Sequence, residues 1–205
     1  MTILKYLFVV VLGYLLGSLS VSVLLSRGVL GEDVRSKGSG NAGATNMARV
    51  YGLKAGFLTL GGDMLKALIA MWVGNLLLGD NGLAAAGIAS IVGHCFPIFH
   101  SFKGGKGISV GAAIGLAIDW RVFVFIIAVF LIGAFLSRKV SLGSLCAAVA
   151  ITVASLLFHV STPKLILAIC AMCLAIYQHR GNIERLRSGT EADFKAASSD
   201  KWPKP

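Results

Sequence analysis

The sequence predicts an all-α integral membrane protein with seven transmembrane helices, the N-terminus outside and the C-terminus cytoplasmic. Three observations carry this reading. Of the 205 residues, 56% are hydrophobic and only 14% are charged, against roughly 25% charged in an ordinary soluble domain; the mean hydropathy is +0.81. The apolar residues fall in runs close to the about 20 residues that a spanning helix needs. The cations fall between those runs, mostly in alternate gaps. A chain this apolar excludes a soluble globular enzyme, a disordered regulator and a secreted disulfide scaffold.

Cutting the chain wherever charge, Pro or clustered Gly interrupts an apolar run gives spans at about 2–25, 54–78, 82–100, 107–119, 120–137, 142–160 and 163–180. The first is read as a retained helix. Its apolar run is too long for the core of a signal peptide, and it leads into a loop with chemistry of its own. The fourth, ISVGAAIGLAI, is nearer half a span than a whole one and is read as tilted, shielded or partly re-entrant. It is kept because omitting it inverts every later loop. With it in place, 15 Lys and Arg residues, from Arg27 to Lys204, lie on one side; only Lys5, Arg121 and Lys164 lie on the other, and Lys66 sits within a span. The basic side is cytoplasmic by the positive-inside rule. Residues 1–187 read as one membrane domain, and 188–205 as a polar cytoplasmic tail.

The formal charge of +10 is divided among short loops and leaves no continuous basic face with interleaved aromatics. Nucleic acid is therefore a poor partner, and anionic lipid headgroups or a phosphorylated substrate are better ones. Cys95, Cys146, Cys170 and Cys173 lie in apolar stretches, and the C-x-x-C at 170–173 lacks the His, Cys or acidic companion that a metal site needs.

Three cytoplasmic segments carry chemistry suited to anions. The first, residues 34–49, places three glycines in six residues, flanked by cations. Its backbone amides can approach an anion, with donors from Ser39, Asn41, Thr45 and Asn46 and a charge-assisted contact from Arg49. A helix beginning near Ala42 or Thr45 adds its positive end. The bland alternative is a flexible Gly/Ser loop. The second segment runs from Gly93 through His94, Pro97, Lys103, Gly104, Gly105 and Lys106 to Gly107, and presents two ammoniums on an unhindered backbone. It is not a Walker A loop, because no hydroxyl follows Lys106. Its bland alternative is a positive-inside anchor. The third is split between Arg138-Lys139-Val-Ser141-Leu-Gly-Ser144 and Tyr177-Gln-His179-Arg-Gly-Asn182. His179 and Asn182 share a face if the helix continues. Asp63 and Lys66, also three apart but within a span, read as a structural pair that pins the helix of the first loop.

At these residues the sequence resembles the acyl-phosphate-dependent glycerol-3-phosphate acyltransferases of bacterial membranes, often written PlsY. The matching pieces are GSGNAGATN at 38–46, GHCFPIFHSFKGGKG at 93–107, VSLGS at 140–144 and HRGNIERL at 179–186, in order along nearly the whole chain. Gly181 departs from the pattern, where a larger, often acidic residue is expected. The resemblance implies a seven-helix fold with its N-terminus outside. It also implies transfer of a fatty acyl group from acyl phosphate to the 1-position of glycerol 3-phosphate, giving lysophosphatidic acid and inorganic phosphate in the bacterial inner membrane without a cofactor or metal. Glycerol 3-phosphate would be bound by Ser39, Arg49, Lys106, His179 and Asn182, and the acyl phosphate cradled by Asn41, Thr45, Gly104, Gly105 and Ser144. Asn46, His94, Lys103 and Ser141 complete the candidate binding set. His179, Lys106 and Ser144 are the candidate catalytic residues, and the base is left between His179 and a phosphate oxygen. The soluble enzyme that makes acyl phosphate is a candidate partner, alongside membrane lipids.

An acyl phosphate is an activated mixed anhydride, so no covalent intermediate is required. None of the four histidines is followed five residues on by Asp, as the other class of glycerol-phosphate acyltransferase requires. Two other classes remain open on the residues alone: a transporter for a phosphorylated metabolite, and a scaffold that recruits a soluble partner through its basic face.

Overall fold

The computed structural model describes residues 1–197, and within them the protein is all-helical. Helix α1 (Thr2–Ser18) is followed after a short break by α2 (Val21–Leu30), the two bent by 40°. A 3-10 turn at Val34–Ser36 leads through the glycine-rich loop to α3 (Ala44–Tyr51) and the long α4 (Leu53–Cys95). Next come α5 (Ile108–Ile118), α6 (Trp120–Ser137), α7 (Val140–Leu157), α8 (Thr162–Gln178) and α9 (Arg180–Arg187). α4, α6 and α7 are long and apolar enough to cross a membrane alone, and the bent pairs α1–α2 and α8–α9 qualify jointly.

α4 has two arms. At about 1.5 Å per residue a straight helix of 43 residues would reach about 65 Å, twice the hydrocarbon thickness of a bilayer. Gly79, at φ +59 and ψ −146, interrupts it in a conformation that glycine tolerates. The arms on either side pack so closely that a Cβ on Gly74 would lie 2.3 Å from the carbonyl oxygen of Gly82. The 54–78 and 82–100 segments read from the sequence are therefore two arms meeting at a glycine turn. The second ends earlier than expected, at Cys95, ahead of Pro97.

Small residues set the packing. A Cβ on Gly17 would lie 2.2 Å from the Ser90 carbonyl oxygen, and one on Gly93 2.3 Å from that of Tyr14. α1 and the second arm of α4 thus touch backbone to backbone, as membrane helices without a hydrophobic drive between them often do. The core includes Met71, Ile91, Val110, Ile114, Val122, Ile151 and Leu167, all buried. Around it runs a belt of exposed apolar side chains such as Phe57, Trp72, Trp120, Phe135 and Leu136, the surface expected of a protein solvated by lipid. α5, at 11 residues, is the short element that the sequence indicated.

Candidate active site

A cavity of about 610 Å3 opens among α3, both arms of α4, α5, α6, α7 and the α8–α9 junction. One end is polar, lined by Ser39, Asn41, Thr45, Arg49, His94, Lys106, Ser109, Ser141, Ser144, His179, Asn182 and Arg185. The other is apolar, walled by Leu60, Ala112, Ile126, Ile127, Phe130, Ala147, Ala148, Ile151, Ala171 and Ala175. Segments far apart in the chain build the polar end, and each is positioned by its own local bonds.

The first loop is organised from inside by Asn46. Its side-chain oxygen accepts from the Ser39 amide at 2.8 Å, while its amide nitrogen donates to the carbonyls of Val34, Lys37 and Asn41 at 3.0–3.2 Å. With its side chain engaged, Asn46 holds the loop in shape, and it lines the cavity beside Ser39, Asn41 and Thr45. Arg49 also lines the cavity, and its guanidinium has no hydrogen-bond partner among the described residues. Asp33 grips Arg35, whose Nη1 donates to the carbonyls of His100 and Lys103 at 2.8 and 3.2 Å, latching the first loop to the second. The Arg35 guanidinium holds the Asp33 carboxyl well below the usual carboxylate range.

In the second loop the expected roles separate. Lys106 reaches the cavity and donates to Asn182 Oδ1. Burial, reinforced by the neighbouring Arg185 cation, lowers its pKa from 10.5 to about 8. Lys103 does not reach the cavity; its side chain is exposed, and only its carbonyl is used, by Arg35. Gly104 and Gly105 are also absent from the cavity wall. They are needed because the chain passes directly over His94, where a Cβ would lie 2.0 Å from the His94 carbonyl oxygen at Gly104 and 2.1 Å from His94 Nε2 at Gly105. Gln178 at the end of α8 donates to the Cys95 and Gly105 carbonyls at 3.4 Å, fastening the loop from the other side.

The helix does not continue through the third segment: His179 stands at the 58° bend between α8 and α9 and Asn182 in the first turn of α9, 3% and 7% exposed, and both line the cavity. His179 Nδ1 lies 2.8 Å from the Ala175 carbonyl. A carbonyl only accepts, so Nδ1 carries the proton and Nε2 of the neutral ring is left as an acceptor. Ser144 donates to the Val140 carbonyl at 2.9 Å, so its hydroxyl hydrogen is committed. Ser141 Oγ is buried, has no hydrogen bond of proper geometry among the described residues, and lines the cavity.

Two features were not read from the sequence. α3, α5 and α7 begin at the cavity, with Thr45, Ser109 and Ser141 in their first turns, and none has a side-chain cap among the described residues. Their free amides and dipoles give the polar end a positive field independent of any cationic side chain. The other feature is the segment from Ser188 to Ala197, expected to be the start of a polar tail but folded back across the cavity mouth. Glu191 accepts from Asn182 at 2.6 Å and from Arg185 at 2.7 Å, Lys139 donates to the Glu191 carbonyl, and the amides of Phe194 and Ala197 donate to the carbonyls of Arg138 and Ala48. The rest of the expected tail, with Lys201 and Lys204, lies outside the described residues. Arg185 was findable, being three residues beyond Asn182 on the same helical face. Glu191 had no periodic signal. The Asp63–Lys66 pair does not reach α3 as expected; Lys66 instead donates to the Leu19 carbonyl, at the α1–α2 break.

Comparison with known proteins agrees with this geometry. The family model described as glycerol-3-phosphate acyltransferase matches residues 7–189. The glycerol-3-phosphate acyltransferase of Thermoanaerobacter pseudethanolicus is 37% identical over 182 residues, 89% of this chain and 92% of that protein. That of Syntrophotalea carbinolica is 41% identical over 186 residues, 89% and 94% of the two chains. A crystal structure of PlsY (YgiH), described as an integral membrane glycerol 3-phosphate acyltransferase in its glycerol 3-phosphate form, superposes with a TM-score of 0.88 at 36% identity, covering 93% of this chain and 96% of the other. Its lysophosphatidic acid form gives 0.86 at 35%, covering 93% and 95%. With the match running from residue 7 to 189, the chain belongs to the glycerol-3-phosphate acyltransferase family and is a membrane acyltransferase of the PlsY type.

Proposed function

We propose that the chain transfers a fatty acyl group from acyl phosphate to the 1-position of glycerol 3-phosphate, releasing lysophosphatidic acid and inorganic phosphate. The observation that carries this reading is the union, in one cavity, of a cationic, amide-rich end and an apolar end. That is the shape of a phosphorylated head joined to an acyl chain. The same reading places the protein in the bacterial inner membrane with seven spans, its N-terminus outside and the polar end of the cavity on the cytoplasmic side. There a soluble enzyme making acyl phosphate can deliver the donor, and anionic headgroups meet the basic loops.

In this reading Arg49, Lys106, Asn182 and Ser39 hold the phosphate of glycerol 3-phosphate. The amides and hydroxyls at the starts of α3, α5 and α7, with Asn41, Thr45 and Ser141, hold the acyl phosphate, whose chain lies along Ala112, Ala148 and Ile151, while Ser144 lines the same end with its hydrogen on the Val140 carbonyl. The hydroxyl of glycerol 3-phosphate attacks the acyl carbonyl, the new ester C–O bond forms, and the C–O bond to phosphate breaks. His179 Nε2 accepts a hydrogen bond from the attacking hydroxyl, and the proton finishes on the departing phosphate. The helix starts stabilise the oxyanion that develops, a contribution of about 3 kcal/mol per well-placed donor.

The test is the protein purified into lipid nanodiscs and given acyl phosphate and glycerol 3-phosphate with no other cofactor. Equal amounts of lysophosphatidic acid and inorganic phosphate are expected, and acyl-CoA in place of acyl phosphate should give no product. Absence of both products from the folded protein overturns the reading.

A further inference from the structure

The first arm of α4 holds an ion pair far from either loop in sequence. Asp63 and Lys66 are 1% and 6% exposed and lie 2.8 Å apart. At about 1.5 Å per residue, Asp63 sits about 15 Å along the helix from Leu53. Two charges at that depth are costly to desolvate, and apolar residues of similar volume would hold a fold at least as well. Neither oxygen of Asp63 forms a hydrogen bond of proper geometry among the described residues. Packing alone therefore gives a weak account of the pair.

The ammonium of Lys66 supplies a better one. Besides Asp63 it contacts the Leu19 carbonyl at the α1–α2 break, and it lies 3.3 Å from His94 Nδ1. An ammonium has no lone pair, so Nδ1 is the acceptor and the ring proton sits on Nε2. His94 Nε2 is the atom against which Gly105 is pressed, and the Gly105 amide donates to the His94 carbonyl at 3.0 Å. The residue after Gly105 is Lys106, which enters the cavity.

We infer that Asp63 and Lys66 are positioning residues for the phosphate loop: they fix the His94 ring on which Gly104 and Gly105 are seated, and through it the placement of Lys106. The inference rests on the proposed reading of the cavity as a phosphate site. Asp63 orients the ammonium and itself lies 3.7 Å from His94 Nδ1, the ammonium orients the ring, and the glycines let the backbone rest on the ring without an intervening side chain.

The test removes both charges together, as Asp63→Asn with Lys66→Met, so that no unpaired charge stays buried. The KM for glycerol 3-phosphate should rise about tenfold or more, as misplacement of a binding group does. In a Lys106→Ala background the same pair of substitutions should add less than about twofold, because both routes end at one residue. Multiplicative effects, or an unchanged KM with only a lowered Tm, overturn the inference. Hydrogen–deuterium exchange of the substrate-free protein gives a readout independent of turnover. Amides 104–107 should exchange faster in the double variant while 110–117 of α5 do not; no change, or a uniform increase over all helices, overturns it. If the unsubstituted protein forms no product, the proposed function fails, and the exchange measurement still decides the positioning role.

Discussion

Lys106 donates to Asn182 across 76 residues of sequence, so the loop before α5 and the first turn of α9 share one hydrogen bond inside the cavity. Neither residue is placed without the other. Asn182 offers its oxygen to the lysine and its amide to Glu191, which sets the orientation of the amide group as well as its location.

Asn182→Ala should raise the KM for glycerol 3-phosphate about 10- to 100-fold, the loss expected when a charge-assisted bond disappears. Lys106→Ala should give a rise of similar size. The double variant should cost much less than the product of the two, because the residues act as a unit. Steady-state kinetics with glycerol 3-phosphate varied at saturating acyl phosphate measures all three.

Activity should fall as the solution becomes alkaline. Burial disfavours the ammonium of Lys106 and brings its pKa to about 8, so the cation is present below that pH and lost above it. kcat/KM for glycerol 3-phosphate, which reports the free enzyme, should therefore decline through about pH 8. Bound phosphate favours the ammonium and should move the corresponding limb of kcat higher. Lys106→Arg should remove the alkaline limb, since a guanidinium does not titrate in this range.

His179 can be tested while its structural bond is kept. Asn in its place can still donate to the Ala175 carbonyl but has nothing at the position of Nε2. His179→Asn should lower kcat about 10²- to 10³-fold while Tm moves by only a few degrees, about what 1 kcal/mol produces. Thermal unfolding in nanodiscs beside turnover separates the two effects.

Asn46→Ala should behave in the opposite way, through stability. It removes four hydrogen bonds and leaves the Ser39 amide and three carbonyls without their partner, a loss of about 2–4 kcal/mol. A lowered Tm should accompany weaker binding. Arg49→Ala, with no protein partner to orphan among the described residues, should weaken glycerol 3-phosphate binding and leave Tm unchanged.

The apolar arm should set chain length. Ala148 and Ala171 face the cavity from α7 and α8, and Ala148→Phe should shift the preference toward shorter acyl phosphates. Competition between donors of different length measures the ratio of kcat/KM, and an unchanged ratio would place the chain elsewhere.

Much of the helix plan was legible because hydropathy and charge act locally. α6 was read at its observed bounds, 120–137, and α5 was recognised as short. The site was legible as a set of segments. Arg49, Lys106, His179 and Asn182 meet as expected because Gly-rich loops with isolated cations have few other uses at a membrane interface. What escaped was the division of labour inside each segment. Lys103 and Lys106 are alike in sequence, and only the path of the backbone over His94 turns one outward and the other in. Asn46 reads from the sequence as a donor to substrate, and its four internal bonds add a role in shaping the loop that no spacing announces. Glu191 lies in a segment with no hydrophobic period, held by the side chains of Lys139, Asn182 and Arg185 and by its own amides on the carbonyls of Arg138 and Ala48, and no pattern in its own residues announces such contacts.

The uncapped starts of α3, α5 and α7 bear on how this enzyme responds to mutation. A positive field made of peptide groups belongs to the course of the chain, and truncating side chains one at a time leaves it in place. Alanine scanning of the polar end should therefore recover less than the whole of its affinity for phosphate. The changes that reach the remainder are those that redirect the backbone, such as a proline within the first turn or a residue inserted ahead of it. Substrate recognition should accordingly tolerate single replacements of its hydroxyls and fail abruptly when the register of a helix start is disturbed.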